Sequence, residues 1–500
     1  VDTISYEAWE ALFTSPWLVS ADDAEVDAGQ PIVFETANVT GGATLVLVDV
    51  LTGAARIAAL TDLGAGRYEL PASVTAQMDA GLYDVELRRD TDGAYADNLY
   101  QVELFPVLDE VVFADAFDAL PRGTATVRGI GLREEISLLW DGVPLTVTAL
   151  THGATSDEAT VTVPVLPTDG AGRFLHDDGR TLHDVELTAP WPLTPPTALV
   201  QTTLLRHDGL TFLPSEDAYA FTNGRMTDEV KAVLHDTMWT AFEQTYGAAE
   251  VDAAMVANPV VTGLHYGLYA AWWADGIASA DCLGMSSNVL QDFFLGVTGV
   301  SSYAPADVAW TVGITQGKLL SSEVLGSLVG ESSLSTFSDV ATVDSIAAFF
   351  AAGDASASAD MPVIVMAPDV HLLTEALLNV MLPDSLEPTD TEFNALNTSI
   401  GGSHALAPYL AVYADADDAR PTRIYVYDSN AAGTEDDPDH GPAWDGLFLT
   451  VDDSGLGVTF DYHPFDDAYQ FASAGGWTMG RVTVGMMMGD VGLLTRSWLD

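Results

Sequence analysis

The stretch ADCLGMSS, residues 280–287, holds Cys282, the only cysteine of the chain. A single cysteine cannot form an intramolecular disulfide, so its thiol is free to react. Gly276 and Ser279 indicate a loop before it, and residues 284–295 predict a helix that begins close to Cys282. The positive end of a helix dipole stabilises a thiolate, and backbone N–H groups there can hold an oxyanion. Cys282 is therefore a candidate nucleophile, provided that a histidine and an Asp or Asn lie near it in the fold.

A candidate base for this thiol lies downstream. The segment GGSHALAPYLAVY, residues 401–413, places His404 at the start of a predicted strand, and TRIYVYDSN, residues 422–430, predicts the next strand. The turn-like residues between them predict a hairpin centred near positions 417 and 418. Position 404 then falls opposite about 431, close to both Asp428 and Asn430. Either side chain can hold the imidazole in the tautomer that accepts the thiol proton.

The order Cys, His, Asp/Asn resembles the papain-like cysteine peptidase superfamily. The resemblance is carried by CLGMS at a helix start, SHA opening one strand and VYDSN ending the next, and it covers roughly residues 209–500. It implies that Cys282 is the nucleophile, that His404 is general base and acid, and that Asp428 or Asn430 orients His404. The family usually has a Gln shortly before the cysteine to complete the oxyanion hole. Residues 272–281, WWADGIASAD, contain neither Gln nor Asn, so either another donor serves, such as Ser279 or a backbone N–H, or the site is not a working peptidase.

The N-terminal part of the chain has a β pattern. Short apolar runs separated by Gly, Asp and Asn predict one β-sandwich over residues 21–106 and a second over residues 107–207. Their length and strand rhythm resemble bacterial immunoglobulin-like surface modules. Residues 1–20, rich in aromatics, are predicted to form an N-terminal docking arm. The proline-rich residues 190–196 form the last edge of the second module or a linker.

After residue 208 the pattern changes to helices followed by strands, which predicts an α+β domain over residues 208–500. One helix is expected over residues 227–242, with Thr227 as its N-cap. Met486, Met487 and Met488 are expected in the core of a last strand, over residues 480–488. The predicted fold class is therefore multidomain, with two all-β immunoglobulin-like sandwiches followed by an α+β papain-like domain.

The charge of the chain is extreme, with 73 acidic against 17 basic residues and a net charge of −56. Because 48% of the residues are hydrophobic, we expect a folded protein with an acidic surface and not a disordered chain. Self-repulsion at this charge requires screening by salt or cations. An extracellular or cell-surface location satisfies this, and the cytoplasm of a halophile is the alternative. Such a surface repels nucleic acid and anionic membranes, so neither is expected as a partner.

Metal and cofactor motifs are weak in this sequence. Asp415, Asp417, Asp418 and the acidic residues 435–439 can be imagined around a structural calcium ion, but their spacing is not that of an EF-hand loop. No zinc-binding spacing of His and Cys occurs. We therefore predict no metal site and no cofactor.

These features predict a cysteine-dependent hydrolase, most simply a peptidase, whose partner is a peptide or protein substrate. Two alternatives stay open. A transglutaminase-like acyl transferase uses the same order of residues but passes the acyl group to an amine. A non-catalytic surface adhesion or structural protein would carry a degenerate peptidase-like domain. The oligomeric state is not indicated by the sequence.

Overall fold

A computed structural model gives the structure of the chain. It describes residues 15–22, 24–96, 98–114, 117–135, 137–164, 174–176, 182–188, 199–202, 204–274, 281–324, 327, 339–367, 403–415, 417–432, 442–455, 457–462 and 471–493. The chain divides into two compact units, Val1–Leu166 with Arg180–Leu205, and Pro167–Gly179 with Arg206–Asp500. It is therefore a multidomain protein of mixed α and β content.

The first module of the N-terminal unit has two sheets, ordered β1-β3-β7-β6 and β2-β9-β8-β4-β5. Strict alternation of buried and solvent-facing residues along β4 and most of β8 places one face of each strand in a shared core. The strand β1 includes residues that the sequence assigns to the N-terminal arm, because Leu18 is buried in this core. The elements are β1 (Trp17–Ala21), β2 (Glu25–Asp27), β3 (Ile32–Ala37), β4 (Ala43–Asp49), β5 (Ala55–Ala59), β6 (Thr61–Gly64), β7 (Arg67–Leu70), α1 (Ala72–Thr75), β8 (Gly81–Arg89) and β9 (Tyr100–Phe105).

The second module also has two sheets, ordered β10-β11-β15-β14 and β13-β12-β17-β18, around a core that contains the fully buried Trp140. A buried ion pair joins it to the first module, since Arg133 Nη1 lies 3.0 Å from Asp49 Oδ2 and also donates to the carbonyl of Ala80. The proline-rich residues 190–196 lie outside the described residues. The strands are β10 (Val107–Phe113), β11 (Thr124–Ile130), β12 (Ser137–Trp140), β13 (Val143–Pro144), β14 (Val147–His152), β15 (Asp157–Thr162), β17 (His183–Thr188) and β18 (Leu199–Thr202), while β16 (Phe174–His176) belongs to the second unit.

The second unit contains an antiparallel sheet, in which the described residues form nine strands. Its order is β16-β19-β21-β22-β23-β24-β25, and β20 pairs with β21 and with β26. Every described residue of β20 and β21 is buried, which explains their nearly continuous apolar sequences. The remaining strands are β19 (His207–Leu210), β20 (Pro362–Ala367), β21 (His404–Val412), β22 (Arg423–Asp428), β23 (Phe448–Asp452), β24 (Thr459–Tyr462), β25 (Phe471–Ala472) and β26 (Thr478–Thr483).

Helices of the second unit pack on this sheet and on one another. The central one, α7, runs from Cys282 and contacts β21, where the Ser286 hydroxyl donates to the carbonyl of Ala405. No described helix is long and apolar enough to cross a membrane. The helices are α2 (Pro214–Asp217), α3 (Asn223–Leu234), α4 (Met238–Tyr246), α5 (Ala248–Ala257), α6 (Pro259–Ala274), α7 (Cys282–Leu295), α8 (Pro305–Gly317), α9 (Asp339–Ala352) and α10 (Val484–Met488), with 3₁₀ turns at Val300–Ser302, Lys318–Leu320, Ala355–Asp360 and Ser473–Gly475.

Two local predictions are wrong. The helix expected over residues 227–242 is two helices, α3 and α4, and Thr227 lies inside the first, where its hydroxyl donates to the carbonyl of Asn223. Apolar spacing continues across the break, so periodicity alone cannot locate it. The expected last strand ends at Thr483, because the Thr483 hydroxyl accepts from the Met486 amide and starts α10. Met486, Met487 and Met488 are therefore helical.

Candidate active site

The single thiol lies at the start of a buried helix. Cys282 is the first residue of α7 and is 4% exposed. Gly284, two residues into the helix, lets α7 approach α8 closely, because a Cβ at this position would lie 2.6 Å from the carbonyl oxygen of Val312. The thiol is thus held at the positive end of a closely packed helix.

The hairpin of β21 and β22 brings the predicted base and orienter together. Leu406 is paired with Asp428, so the same register places position 404 opposite position 430. Residues two apart share a face of a strand, and His404 and Asp428 therefore lie diagonally on one face. His404 Nε2 lies 2.7 Å from Asp428 Oδ1, and the two side chains are 5% and 1% exposed.

Asp428 receives hydrogen bonds from three sides. Besides His404, the backbone N–H of Asn430 donates to its Oδ1 at 2.8 Å and the Tyr462 hydroxyl donates to its Oδ2 at 2.7 Å. Burial raises the pKa of Asp428, but the charge and hydrogen bonds of these neighbours lower it below its ordinary value. Of the two expected orienters, Asp428 contacts the imidazole, while Asn430 supports Asp428 through its main chain.

His404 connects this carboxylate to the thiol. Burial lowers the pKa of His404, but the charge of Asp428 and hydrogen bonds with Asp428 and Cys282 raise it to about 10. Since Nε2 is engaged by Asp428, Nδ1 is the ring nitrogen left for the sulfur. The ring also stacks on Phe471, with centroids 5.5 Å apart and planes 20° apart. An imidazole held in this way stays protonated at neutral pH.

A further residue, Asn223, links the two halves of the site. Its Oδ1 accepts from the backbone N–H of Asp281 at 2.6 Å, directly before the thiol. Its own backbone N–H donates to the carbonyl of Ser429 at 2.8 Å, directly after the orienting aspartate. The sequence contained no signal for Asn223, Tyr462 or Phe471, since each comes from an element remote from the motifs that carry the resemblance.

Asp281 is a second buried carboxyl beside the thiol. Burial raises the pKa of Asp281 to about 7, against the opposing effects of Thr227 and Lys231. It occupies the N-cap position of α7, and its carbonyl accepts from the Met285 amide at 2.9 Å. This carboxyl therefore changes charge near neutral pH, one residue from the nucleophile.

The remaining candidates from the sequence are Ser279, as an oxyanion donor, and the acidic residues considered for a calcium ion. Ser279 and the acidic residues 435–439 lie outside the described residues. The turn that follows β21 is closed locally, since the backbone N–H of Asp415 donates to the side chain of Asp418 at 3.0 Å. Within the described ranges, no group of three or more His, Cys, Asp or Glu side chains is arranged to hold a metal ion.

Comparisons with known proteins do not identify a family. No protein-family model matches the chain, and no curated protein matches it. Among solved structures, a tetra-tandem repeat in the extending region of a large adhesion protein matches at 17% identity with a TM-score of 0.20, covering 42% of this chain and 54% of that one. The xyloglucan-locus protein SGBP-B of Bacteroides uniformis matches at 17% identity with a TM-score of 0.16, covering 42% and 51%. The mixed-linkage glucan protein SGBP-B of Bacteroides ovatus matches at 12% identity with a TM-score of 0.14, covering 41% and 55%.

The chain thus spans about half the length of each of these three structures. TM-scores this low show no shared overall fold. What these proteins bind is therefore not carried over to this chain.

Proposed function

We propose that the second unit is a papain-like cysteine hydrolase that cleaves amide bonds in peptides or proteins. The observation that carries the proposal is the buried pair of His404 and Asp428, whose facing side-chain atoms are 2.7 Å apart, with the chain's only thiol beside the imidazole at a helix start. Burying an ionisable pair is costly unless both members are well satisfied, so this arrangement is not expected by chance around an inert cysteine.

In the proposed mechanism each residue of the site has one step. His404 holds the proton of Cys282 on Nδ1, and the thiolate sulfur attacks the substrate carbonyl carbon, whose oxygen gains the negative charge. The C–N bond then breaks as the imidazolium returns its proton to the leaving amine. A water molecule, deprotonated by the same imidazole, hydrolyses the thioester and releases the acid and the thiol. Asp428 stabilises the imidazolium and holds its orientation throughout.

Thiol reactivity at neutral pH tests the proposal without knowledge of the substrate. We expect iodoacetamide to alkylate Cys282 rapidly and stoichiometrically at pH 7, although the side chain is buried. His404→Ala should slow this reaction by about a hundredfold, because the base that forms the thiolate is lost. His235→Ala is the matched control, since His235 is exposed and paired only with its neighbour Asp236 in the described structure. Alkylation that occurs only in denaturant would support the non-catalytic alternative.

Product analysis then identifies the acyl acceptor. A peptide library is incubated with the wild-type chain and with Cys282→Ala, and the products are identified by mass spectrometry. Cleavage that depends on the thiol supports a peptidase, whereas incorporation of an added primary amine supports the transglutaminase-like alternative.

The net charge of the chain bears on both the substrate preference and the location of this activity. The net charge of −56 favours neutral or basic peptides as substrates and disfavours acidic ones, an effect that salt reduces. The two β modules would position the hydrolase on an exported or surface-attached protein. A high-salt cytoplasm is the alternative location.

A further inference from the structure

The oxyanion formed during acyl transfer needs donors, and the start of α7 offers few. The Gly284 amide donates to Gln316 Oε1 at 2.8 Å, and the Met285 amide donates to the carbonyl of Asp281. The Asp281 amide is used by Asn223. Among the described residues, the backbone N–H groups of Cys282 and Leu283, in the first turn of α7, have no acceptor. The Cys282 N–H belongs to the residue that carries the sulfur, and a second donor on the substrate side would complete an oxyanion hole with it.

The side-chain amide of Asn223 has the properties of the second donor. Asn223 is 6% exposed, and the contact with the Asp281 amide, which can only donate, requires its Oδ1 to face that amide. Its Nδ2 therefore carries two N–H donors that have no acceptor among the described residues. Nδ2 keeps some accessible surface although the residue as a whole is buried, so a ligand oxygen can reach these unused donors.

The carboxamide is also held rigidly on both sides. The backbone N–H of Asn223 is anchored to Ser429, next to Asp428, and its Oδ1 is anchored next to Cys282. Its position is thus tied to the nucleophile and to the orienting carboxylate at once. Preorganised donors of this kind are the ones that stabilise a developing charge without reorganisation.

We infer that Asn223 Nδ2 and the backbone N–H of Cys282 form the oxyanion hole of this site. This inference rests on the proposed thiol chemistry and adds a catalytic residue that the motifs do not contain. As the bond between the sulfur and the carbonyl carbon forms, the carbonyl electron pair moves onto oxygen, which accepts from both donors. When the leaving group departs, the electron pair returns and the thioester carbonyl is restored.

Two reagents separate this role from simple positioning. Acetylation by p-nitrophenyl acetate passes through an oxyanion before p-nitrophenolate leaves, whereas iodoacetamide alkylation displaces iodide and forms none. Asn223→Asp keeps an oxygen for the Asp281 amide but removes both N–H donors. We expect its rate of Cys282 acetylation to fall by about 10²–10³-fold relative to its rate of alkylation. Cys282→Ala supplies the background of acetylation at the two lysines of the chain.

The matched control is Asn288→Asp. Asn288 is a buried asparagine on α7, and its Oδ1 accepts from the Thr315 hydroxyl. This substitution should leave the ratio of the two rates unchanged. Asn223→Ala is a second test variant that adds no charge. Its ratio of acetylation rate to alkylation rate should fall by the same factor as that of Asn223→Asp. If the wild-type thiol reacts with both reagents and the ratio of the two rates is unchanged in both Asn223 variants, the inference is overturned. A wild-type thiol that reacts with neither overturns the proposed function, and the inference with it.

Discussion

Replacing Asp281 by Asn should change how the stability of the second unit depends on pH. Burial raises the pKa of Asp281 from its ordinary value to about 7. The folded state therefore binds this proton more tightly than the unfolded state does. Its contribution to stability is fully present at low pH, declines as the pH rises from the unfolded pKa, about 4, and is lost above the folded pKa.

The size of the effect follows from the shift. At about 1.4 kcal/mol for each pKa unit, ionising Asp281 costs the folded state about 4 kcal/mol. Such a cost is a large share of the stability of a typical domain. Asp281→Asn removes this titration. Between pH 4.5 and pH 8, the unfolding free energy of the variant should therefore rise relative to that of the wild-type protein by up to this amount.

The assay is urea unfolding in molar salt across this pH range, followed by pulsed hydrogen exchange and mass spectrometry of peptides from α7. These peptides report on the second unit alone, and the salt suppresses the general repulsion of a chain with a net charge of −56. Asp228→Asn is the control, because Asp228 is an exposed carboxylate on α3. Parallel pH–stability curves for Asp281→Asn and the wild-type chain would refute the assignment of a buried, neutral carboxyl at low pH.

Two further predictions use matched pairs. Asp428→Asn should slow iodoacetamide alkylation of the thiol at pH 7 by about a hundredfold or more, because the imidazolium loses its counter-charge, whereas Asn430→Ala should change it little, because that residue supports the carboxylate through its backbone N–H. An equal loss in both variants would contradict this division of roles. Gly284→Ala should lower the unfolding free energy of the second unit by about 1–3 kcal/mol, since its Cβ would meet the neighbouring helix, as measured by urea midpoints from the same α7 peptides. Gly263→Ala on α6, where nothing lies within 4 Å of the added Cβ, should raise this unfolding free energy by about 0.5–1 kcal/mol. A lower unfolding free energy in Gly263→Ala would show that the clash does not explain the destabilisation of Gly284→Ala.

Local sequence patterns predicted the helix and the hairpin that carry the candidate site better than they predicted the residues from other elements that contact it. The turn between residues 413 and 422 sets a register of β21 and β22 that puts position 404 opposite 431, as expected from the sequence. An irregularity between Pro408 and Leu410 shifts the pairing by one residue, so that position 404 lies opposite 430. The sequence predicts a helix over residues 284–295, close to the observed start at Cys282. The break between α3 and α4 was missed, because a periodic pattern does not show where backbone hydrogen bonds stop.

The choice between Asp428 and Asn430 required side-chain geometry. Both lie on the same face of the hairpin as His404, so alternation along the strand cannot separate them. Tyr462 helps to decide it, because its hydroxyl from β24 satisfies the second oxygen of Asp428 and lets a charged carboxylate remain buried. No spacing rule connects position 462 to position 428.

The acidic composition and the free thiol can be counted directly in the sequence. The helix that carries the thiol and the hairpin that carries its base depend on contacts between neighbours in the chain, so local patterns predict them as well. Only the tertiary structure decided that Asp281 is buried, that Asn223 joins the thiol helix to the hairpin, and that Phe471 covers the imidazole. These properties arise where elements far apart in the chain pack together. Burial and hydrogen bonding between such elements set pKa values and donor positions, and neither can be derived from local spacing.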